Sequence, residues 1–108
     1  NLQLAYANTI EAIALGANYI DATMAGLGRG AGNCPMELLL GLLRSPRYQL
    51  RPVLQCVASS IEPLRKNLGW GFDLPYMLTG LHNQHPRAAI AFNAQPEPRD
   101  IESFYDAF

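Results

Sequence analysis

The stretch Gly26-Leu27-Gly28-Arg29-Gly30-Ala31-Gly32-Asn33 joins a short apolar run ending at Met24 to a helical run beginning near Cys34. Four glycines in seven residues mark backbone that bends sharply or lets another group approach closely. A strand, a glycine loop and then a helix is where α/β proteins gather ligands, because amide N–H groups at the helix start face whatever sits there. As a dinucleotide fingerprint the stretch fails, since Ala31 stands where the last glycine belongs and a helix starting near Cys34 leaves the loop too long. No Gly-Lys-Ser/Thr follows, which excludes a Walker-type phosphate loop. Two readings stay open on these residues alone: a ligand-gathering loop, or a strand-to-helix connection whose glycines serve only turn geometry.

Just before the loop, Tyr19-Ile20-Asp21-Ala22-Thr23-Met24 is short and β-capable, and it predicts a strand. Before that, Leu2, Tyr6, Ile10 and Ile13 recur at helical spacing, which predicts a helix from Asn1 to Leu15 closed by Gly16. With no strand or leading loop ahead of it, that helix leads us to expect further sequence upstream. After the loop, Asn33 is placed to cap the next helix, Pro35 suits a first turn, and Glu37 meets the positive end of the helix dipole. That helix carries Leu38, Leu39, Leu40, Leu42 and Leu43 and should stop at Ser45-Pro46. Its apolar residues point to most sides, which predicts burial on more than one face, with Gly41 permitting close approach.

Farther on, Tyr48-Gln49-Leu50 reads as a very short strand. Val53, Val57, Ile61, Leu64 and Leu68 then mark a helix that Pro63 should end or kink. Gly69 to Pro75 is turn-rich, Pro75 to Leu81 is a brief helix, and another follows Pro86. Gln95-Pro96-Glu97-Pro98 reads as a linker, with Asp100 as the cap of a last helix from Ile101 to Phe108. One clear strand has no sheet to join, so its N–H and C=O groups require partners from outside this segment.

Composition narrows the function classes. A chain of 108 residues with formal charge −1 is one domain at most and gives no reason to expect nucleic acid or an anionic membrane as partner. Hydrophobic residues make up 49 %, enough for a core, yet no run is long enough to cross a bilayer. Asn1 to Tyr6 carries no basic region ahead of an apolar core, so a secretory signal is absent or already removed, and the cytoplasm is the expected location. Cys34 and Cys56 are too far apart for a C-x-x-C pair and read as free thiols.

Asn1-Leu2-Gln3-Leu4-Ala5-Tyr6-Ala7-Asn8-Thr9, together with Gly26 to Asn33, resembles the metal-dependent aldolases and lyases of the isopropylmalate synthase and 3-hydroxy-3-methylglutaryl-CoA lyase superfamily, the DRE-TIM metallolyases. The resemblance implies a (β/α)8 TIM barrel. In that family a H-x-H-N-[DN]-L-x-L-A-x-A-N segment ends the sixth strand, and this chain starts just inside it. Both metal-binding histidines, the general base, a metal-binding aspartate and an enolate-stabilising arginine are then expected upstream of Asn1, and the segment alone is expected to be inert. The implied fold is α/β, the C-terminal portion of the barrel: the helix after strand 6, strand 7, helix 7 and the eighth βα unit over 1–68, with a helical extension over 69–108.

The second motif is similar to the family's G-x-G-x-x-A-G-N after the seventh strand, whose last residue completes a divalent-metal site; here it is Asn33. Its amide oxygen suits Mg²⁺ or Mn²⁺. The alternative is Asn33 purely as a helix cap, and one side-chain oxygen cannot fully serve both roles. The loop departs from the coenzyme-A lyases, which carry a reactive cysteine there, whereas this chain has Arg29-Gly30 and only Cys34 nearby. From Tyr48 onward the chain does not resemble the communication domain of hydroxy-oxovalerate aldolases that channel to a dehydrogenase.

Because barrel active sites lie at the C-terminal ends of strands, Asp21, Thr23 and Arg29 are the candidate substrate-binding residues. Thr23 can hydrogen-bond a substrate carbonyl or carboxylate, and Arg29 can hold a carboxylate bidentately. The plainer readings are an internally paired Asp21 and a solvated Arg29. His82 and His85, three apart, invite a zinc reading but have no sequence neighbour to complete the site. Trp70, Phe72, Tyr76 and Met77 read as core before ligand cover.

The function implied is carbon–carbon bond chemistry on a 2-oxo acid such as pyruvate. A divalent metal would chelate the carboxylate and keto oxygen and stabilise the enolate. A 4-hydroxy-2-oxovalerate-aldolase-like lyase is preferred over a Claisen-type synthase of the isopropylmalate or citramalate kind. A rival of another class is a non-catalytic helical interaction module. Expected partners are the small-molecule substrate, the N-terminal part of the barrel and further copies in a homo-oligomer.

Overall fold

A computed structural model describes all residues, 1–108. It contains seven α-helices: α1 Ala5–Ala14, α2 Met36–Leu43, α3 Leu50–Cys56, α4 Glu62–Leu68, α5 Leu74–Leu81, α6 Arg87–Asn93 and α7 Ile101–Asp106. A single 3-10 turn, Met24–Gly26, precedes α2, and a π-turn, Val57–Ile61, joins α3 to α4. No helix is long and apolar enough to cross a membrane.

The two strands expected of an α/β chain, at Tyr19 to Met24 and at Tyr48 to Leu50, do not form within these residues. Between Tyr19 and Met24 the only β pairing is an isolated parallel bridge from Thr23 to Pro35, although Thr23 itself is extended at φ −124, ψ 150. Tyr48-Gln49-Leu50 does not pair either, and Gln49 instead precedes α3. The physical reason is common to both. A strand exists through ladder bonds to a neighbour, and the one neighbouring extended stretch, around Pro35, gives way at once to α2, so the pairing stops at a single bridge. The backbone is set for a strand at Thr23; the sheet is what is missing.

Helix placement follows the periodicity, with differences at the ends. The first helix starts at Ala5, not Asn1, and the last ends at Asp106, not Phe108. The second starts at Met36 with Pro35 before it. Asn33 therefore does not cap it, being two residues too early. Its side chain donates Nδ2–H to Leu27 O at 2.9 Å. Arg44, left-handed at φ 46, closes α2 ahead of Ser45-Pro46. Gly41 meets nothing within 4 Å of where a Cβ would stand, so the expected close approach is absent. Of the α2 leucines only Leu39 is buried, while Leu38, Leu42 and Leu43 are exposed.

Pro63 neither ends nor sharply breaks its helix. It lacks an N–H to donate, and the turn before it widens so that Glu62 N bonds Val57 O, five residues back. Residues Leu50 to Leu68 thus run as one rod with a π-turn inside it.

Beyond Gly69, α5 packs against both α6 and α7. Asp73 caps α5 by accepting from Tyr76 N at 3.0 Å, and its other oxygen accepts from Asn93 Nδ2 at 3.2 Å. Arg99 extends the network, donating to Asn93 O at 3.0 Å and pairing with Glu97. Gly71, Pro75, Leu78, Thr79, Ala89 and Phe92 are the buried residues of this unit. Phe92 meets Phe104 with ring centroids 4.5 Å apart, and Phe108 stacks on His82 at 4.9 Å. His82 and His85 do not converge on a common point: His85 Nδ1 accepts from Arg87 N.

The molecule measures 50 × 34 × 16 Å. Its least extent is little more than one helix diameter, roughly 10–12 Å, so most helices have only one covered face. Only nine of 108 residues are buried, and Leu15 and Tyr19 are 80 % and 95 % exposed.

Candidate functional site

The glycine stretch forms a closed loop tied at its neck. Thr23 N donates to Cys34 O at 3.0 Å, and Met36 N donates to Thr23 O at 2.9 Å. Inside that neck Asn33 N donates to Gly26 O at 2.9 Å. Two glycines earn their places sterically. A Cβ on Gly28 would lie 2.6 Å from Asn33 Nδ2, and one on Gly32 would overlap Gly26 O. The loop therefore packs its own backbone around the Asn33 amide.

The neck brings three of the four residues singled out from sequence to one place. Asp21, Thr23 and Asn33 line a cavity of about 350 Å³ with Ala5, Thr9 and Cys34. Thr23 Oγ1 is buried and has no hydrogen-bond partner. Asn33 spends its amide N–H on Leu27 O, which leaves Oδ1 without a partner among the protein's own donors. Cys34 is 4 % exposed, as a small packed residue would be. Arg29 is not brought into this group. It lines a second cavity of about 470 Å³ with Trp70, Phe72, Asp73, Tyr76 and Asn93.

The residues lining the first cavity carry a carboxylate (Asp21), two hydroxyls (Thr9 and Thr23), an amide (Asn33) and a thiol (Cys34). The oxygen donors among them, unlike the Cys34 thiol, are of the kind that suits a hard divalent cation such as Mg²⁺ or Mn²⁺. No cluster of three or more His, Cys, Asp or Glu side chains is arranged to hold a metal.

Electrostatic perturbation lies elsewhere. Arg99, donating to Glu97, holds that carboxyl below its ordinary 4.5. Ser103 and Glu102 hold Asp100 below 3.8 as it caps α7. Both groups belong to the C-terminal helices, away from the loop.

Three supports of the loop were not legible from sequence. Glu37 Oε2 accepts from Ala25 N at 3.0 Å. Trp70 Nε1 donates to Ala25 O at 2.9 Å, across 45 residues of chain. Gly71 N donates to Gly30 O at 3.0 Å. The Asp73 cap did have a local signal, an Asp immediately before Leu-Pro at a helix start. The Trp70 contact has none.

Comparison with known proteins adds to this geometry. The model of the HMGL-like family matches residues 1–58. A 4-hydroxy-2-oxovalerate aldolase from Pelotomaculum thermopropionicum is 41 % identical over 94 % of this chain and 32 % of its own length. An oxaloacetate decarboxylase from Mycobacterium tuberculosis is 52 % identical over 41 % of this chain and 13 % of its own. Among solved structures, the N-terminal domain of a candidate aldolase from Bacteroides vulgatus superposes with a TM-score of 0.72 at 38 % identity, covering 95 % of this chain and 35 % of that one. The chain spans about a third of the length of the Pelotomaculum relative. Likeness is not confined to the two motifs, since the Pelotomaculum and Bacteroides matches carry it through the C-terminal helices.

Proposed function

The chain belongs to the HMGL-like family, and from that premise we propose that it forms part of a divalent-cation-dependent aldolase or lyase of the 4-hydroxy-2-oxovalerate aldolase type. The observation that carries this is the shared cavity of Asp21, Thr23 and Asn33, with Thr23 Oγ1 buried and unpartnered. Asn33 Oδ1 would hold Mn²⁺ or Mg²⁺. The bound cation supplies positive charge that lowers the cost of negative charge on the keto oxygen of a 2-oxo acid. Thr23, whose hydroxyl lacks a partner, donates to the substrate's carboxylate or keto oxygen, and Asp21 accepts from a substrate hydroxyl. Arg29 stays outside this cavity, so any carboxylate it holds belongs to the neighbouring one.

Likeness to proteins named for two different reactions supports the class of chemistry more than any one acceptor. Aldol cleavage of a 4-hydroxy-2-oxo acid and decarboxylation of oxaloacetate both leave an electron pair on the carbon beside a 2-keto group. Each leaves the same charge to be stabilised.

We read 1–68 as part of the barrel and 69–108 as a helical extension, a division supported by the helix end at Gly69, φ 66. In this reading the exposed Leu15, Tyr19, Leu38 and Leu42 face the remainder of the barrel. A self-contained helical interaction module would cover such residues, and nine buried positions in 108 speak against it.

The test is a pyruvate-release assay on the full-length protein with 4-hydroxy-2-oxovalerate. Cleavage is expected with Mn²⁺ present and should be lost on chelation. Condensation of acetyl-CoA with a 2-oxo acid, without cleavage, would instead identify the Claisen-type synthase.

A further inference from the structure

Ala25 carries a side chain yet sits at φ 51, ψ 25, a left-handed conformation that an L-residue keeps only when its surroundings impose it. Two groups do so from separate parts of the chain. Glu37, in the first turn of α2, accepts from Ala25 N at 3.0 Å. Trp70, just past α4, donates its indole N–H to Ala25 O at 2.9 Å. Both polar groups of the strained residue are thereby fixed. The next residue, Gly26, offers its carbonyl to Asn33 N at 2.9 Å. Hydrogen bonds joined through the Ala25–Gly26 backbone therefore lead without a break from Trp70 and Glu37 to Asn33.

Trp70 is itself held. The Arg65 guanidinium lies 5.9 Å from its ring centroid, and Arg65 Nε donates to Trp70 O at 3.3 Å. Its neighbour Gly71 N reaches Gly30 O on the same loop at 3.0 Å. The one side-chain donor of Trp70 is spent on the loop.

We propose that Trp70 and Glu37 are positioning residues for Asn33, acting through the Ala25–Gly26 backbone to set the amide oxygen for a divalent cation. The segment after α4 thus tunes cation affinity without contacting the cation. This rests on the reading of Asn33 as a metal ligand given above.

The experiment measures Mn²⁺ affinity of the full-length protein without substrate, by electron paramagnetic resonance, together with its thermal midpoint. Trp70→Phe keeps the ring and removes the donor. Glu37→Ala removes the acceptor, and Glu37→Gln restores one. Expected are Trp70→Phe and Glu37→Ala weaker than wild type by about fivefold or more, the effect of one lost hydrogen bond, with Glu37→Gln close to wild type. A purely structural role would lower the midpoint in both and leave affinity unmoved, which overturns the inference. Should Trp70→Phe not fold, the Glu37 pair decides alone. Asn33→Ala separates the two claims. If it abolishes Mn²⁺ binding while the Trp70 and Glu37 variants bind normally, the positioning role is wrong and the metal reading stands. If Asn33→Ala binds as wild type, the metal reading falls and takes the positioning role with it.

Discussion

Asn33 and Gly28 must be considered as a pair. The Asn33 amide lies against the glycine so closely that a Cβ there would stand 3.0 Å from Asn33 Cγ as well as against its Nδ2. Gly28→Ala should therefore push the amide aside while leaving the helices intact. The expected result is weakened Mn²⁺ binding with an unchanged far-ultraviolet spectrum. The strain at Ala25, roughly 1–2 kcal/mol for a left-handed L-residue, is the local cost of the same arrangement. At this scale the sequence was informative where the signal is short-range. Asp100 was legible as a cap because its partners Glu102 and Ser103 follow within three residues. The alternative of Asn33 as a cap fails because Pro35, two residues on, takes the place before the helix. The Trp70 contact had no local signature at all.

Among the elements, α5 depends on one side chain for both its cap and its tie to α6. Asp73→Ala removes the acceptor for Tyr76 N and for Asn93 Nδ2. The expected loss is about 1–2 kcal/mol of stability, read from denaturant unfolding of the full-length protein. The last helix responds to acid. Because Glu97 and Asp100 are held below their ordinary values of 4.5 and 3.8, their bonds to Arg99 and Ser103 stabilise the fold above that range. That contribution disappears as pH falls through the depressed values. Amide protection across Ile101–Asp106 should accordingly fall below about pH 3.8 before the other helices respond. Helix periodicity was readable because its determinants lie within one turn. The strands were not, because a strand is defined by a neighbour. Tyr19 to Met24 has the composition and, at Thr23, the backbone angles of a strand, but beyond the single bridge to Pro35 it has nothing to pair with.

At the scale of the whole molecule, shape carries the argument. A radius of gyration of 16.2 Å exceeds the roughly 13 Å expected of a compact chain of this length, and apolar side chains from Leu2 to Phe108 remain exposed. Residues 1–108 alone should bind a hydrophobic dye, unfold without a sharp cooperative transition and show no aldolase activity. A cooperative, dye-silent monomer would mean that the exposed leucines need no cover. The barrel assignment was reached through two motifs and not through visible architecture, since the sheet that defines a barrel is not formed by these residues. The central claim is that the Asp21, Thr23 and Asn33 cavity seats a cation beside a 2-oxo acid. The most direct measurement is the relaxation that protein-bound Mn²⁺ imposes on the carbons of pyruvate, in the full-length protein and its Asn33→Ala variant. The account predicts strong relaxation in the first and its loss in the second. Equal relaxation in both would contradict it.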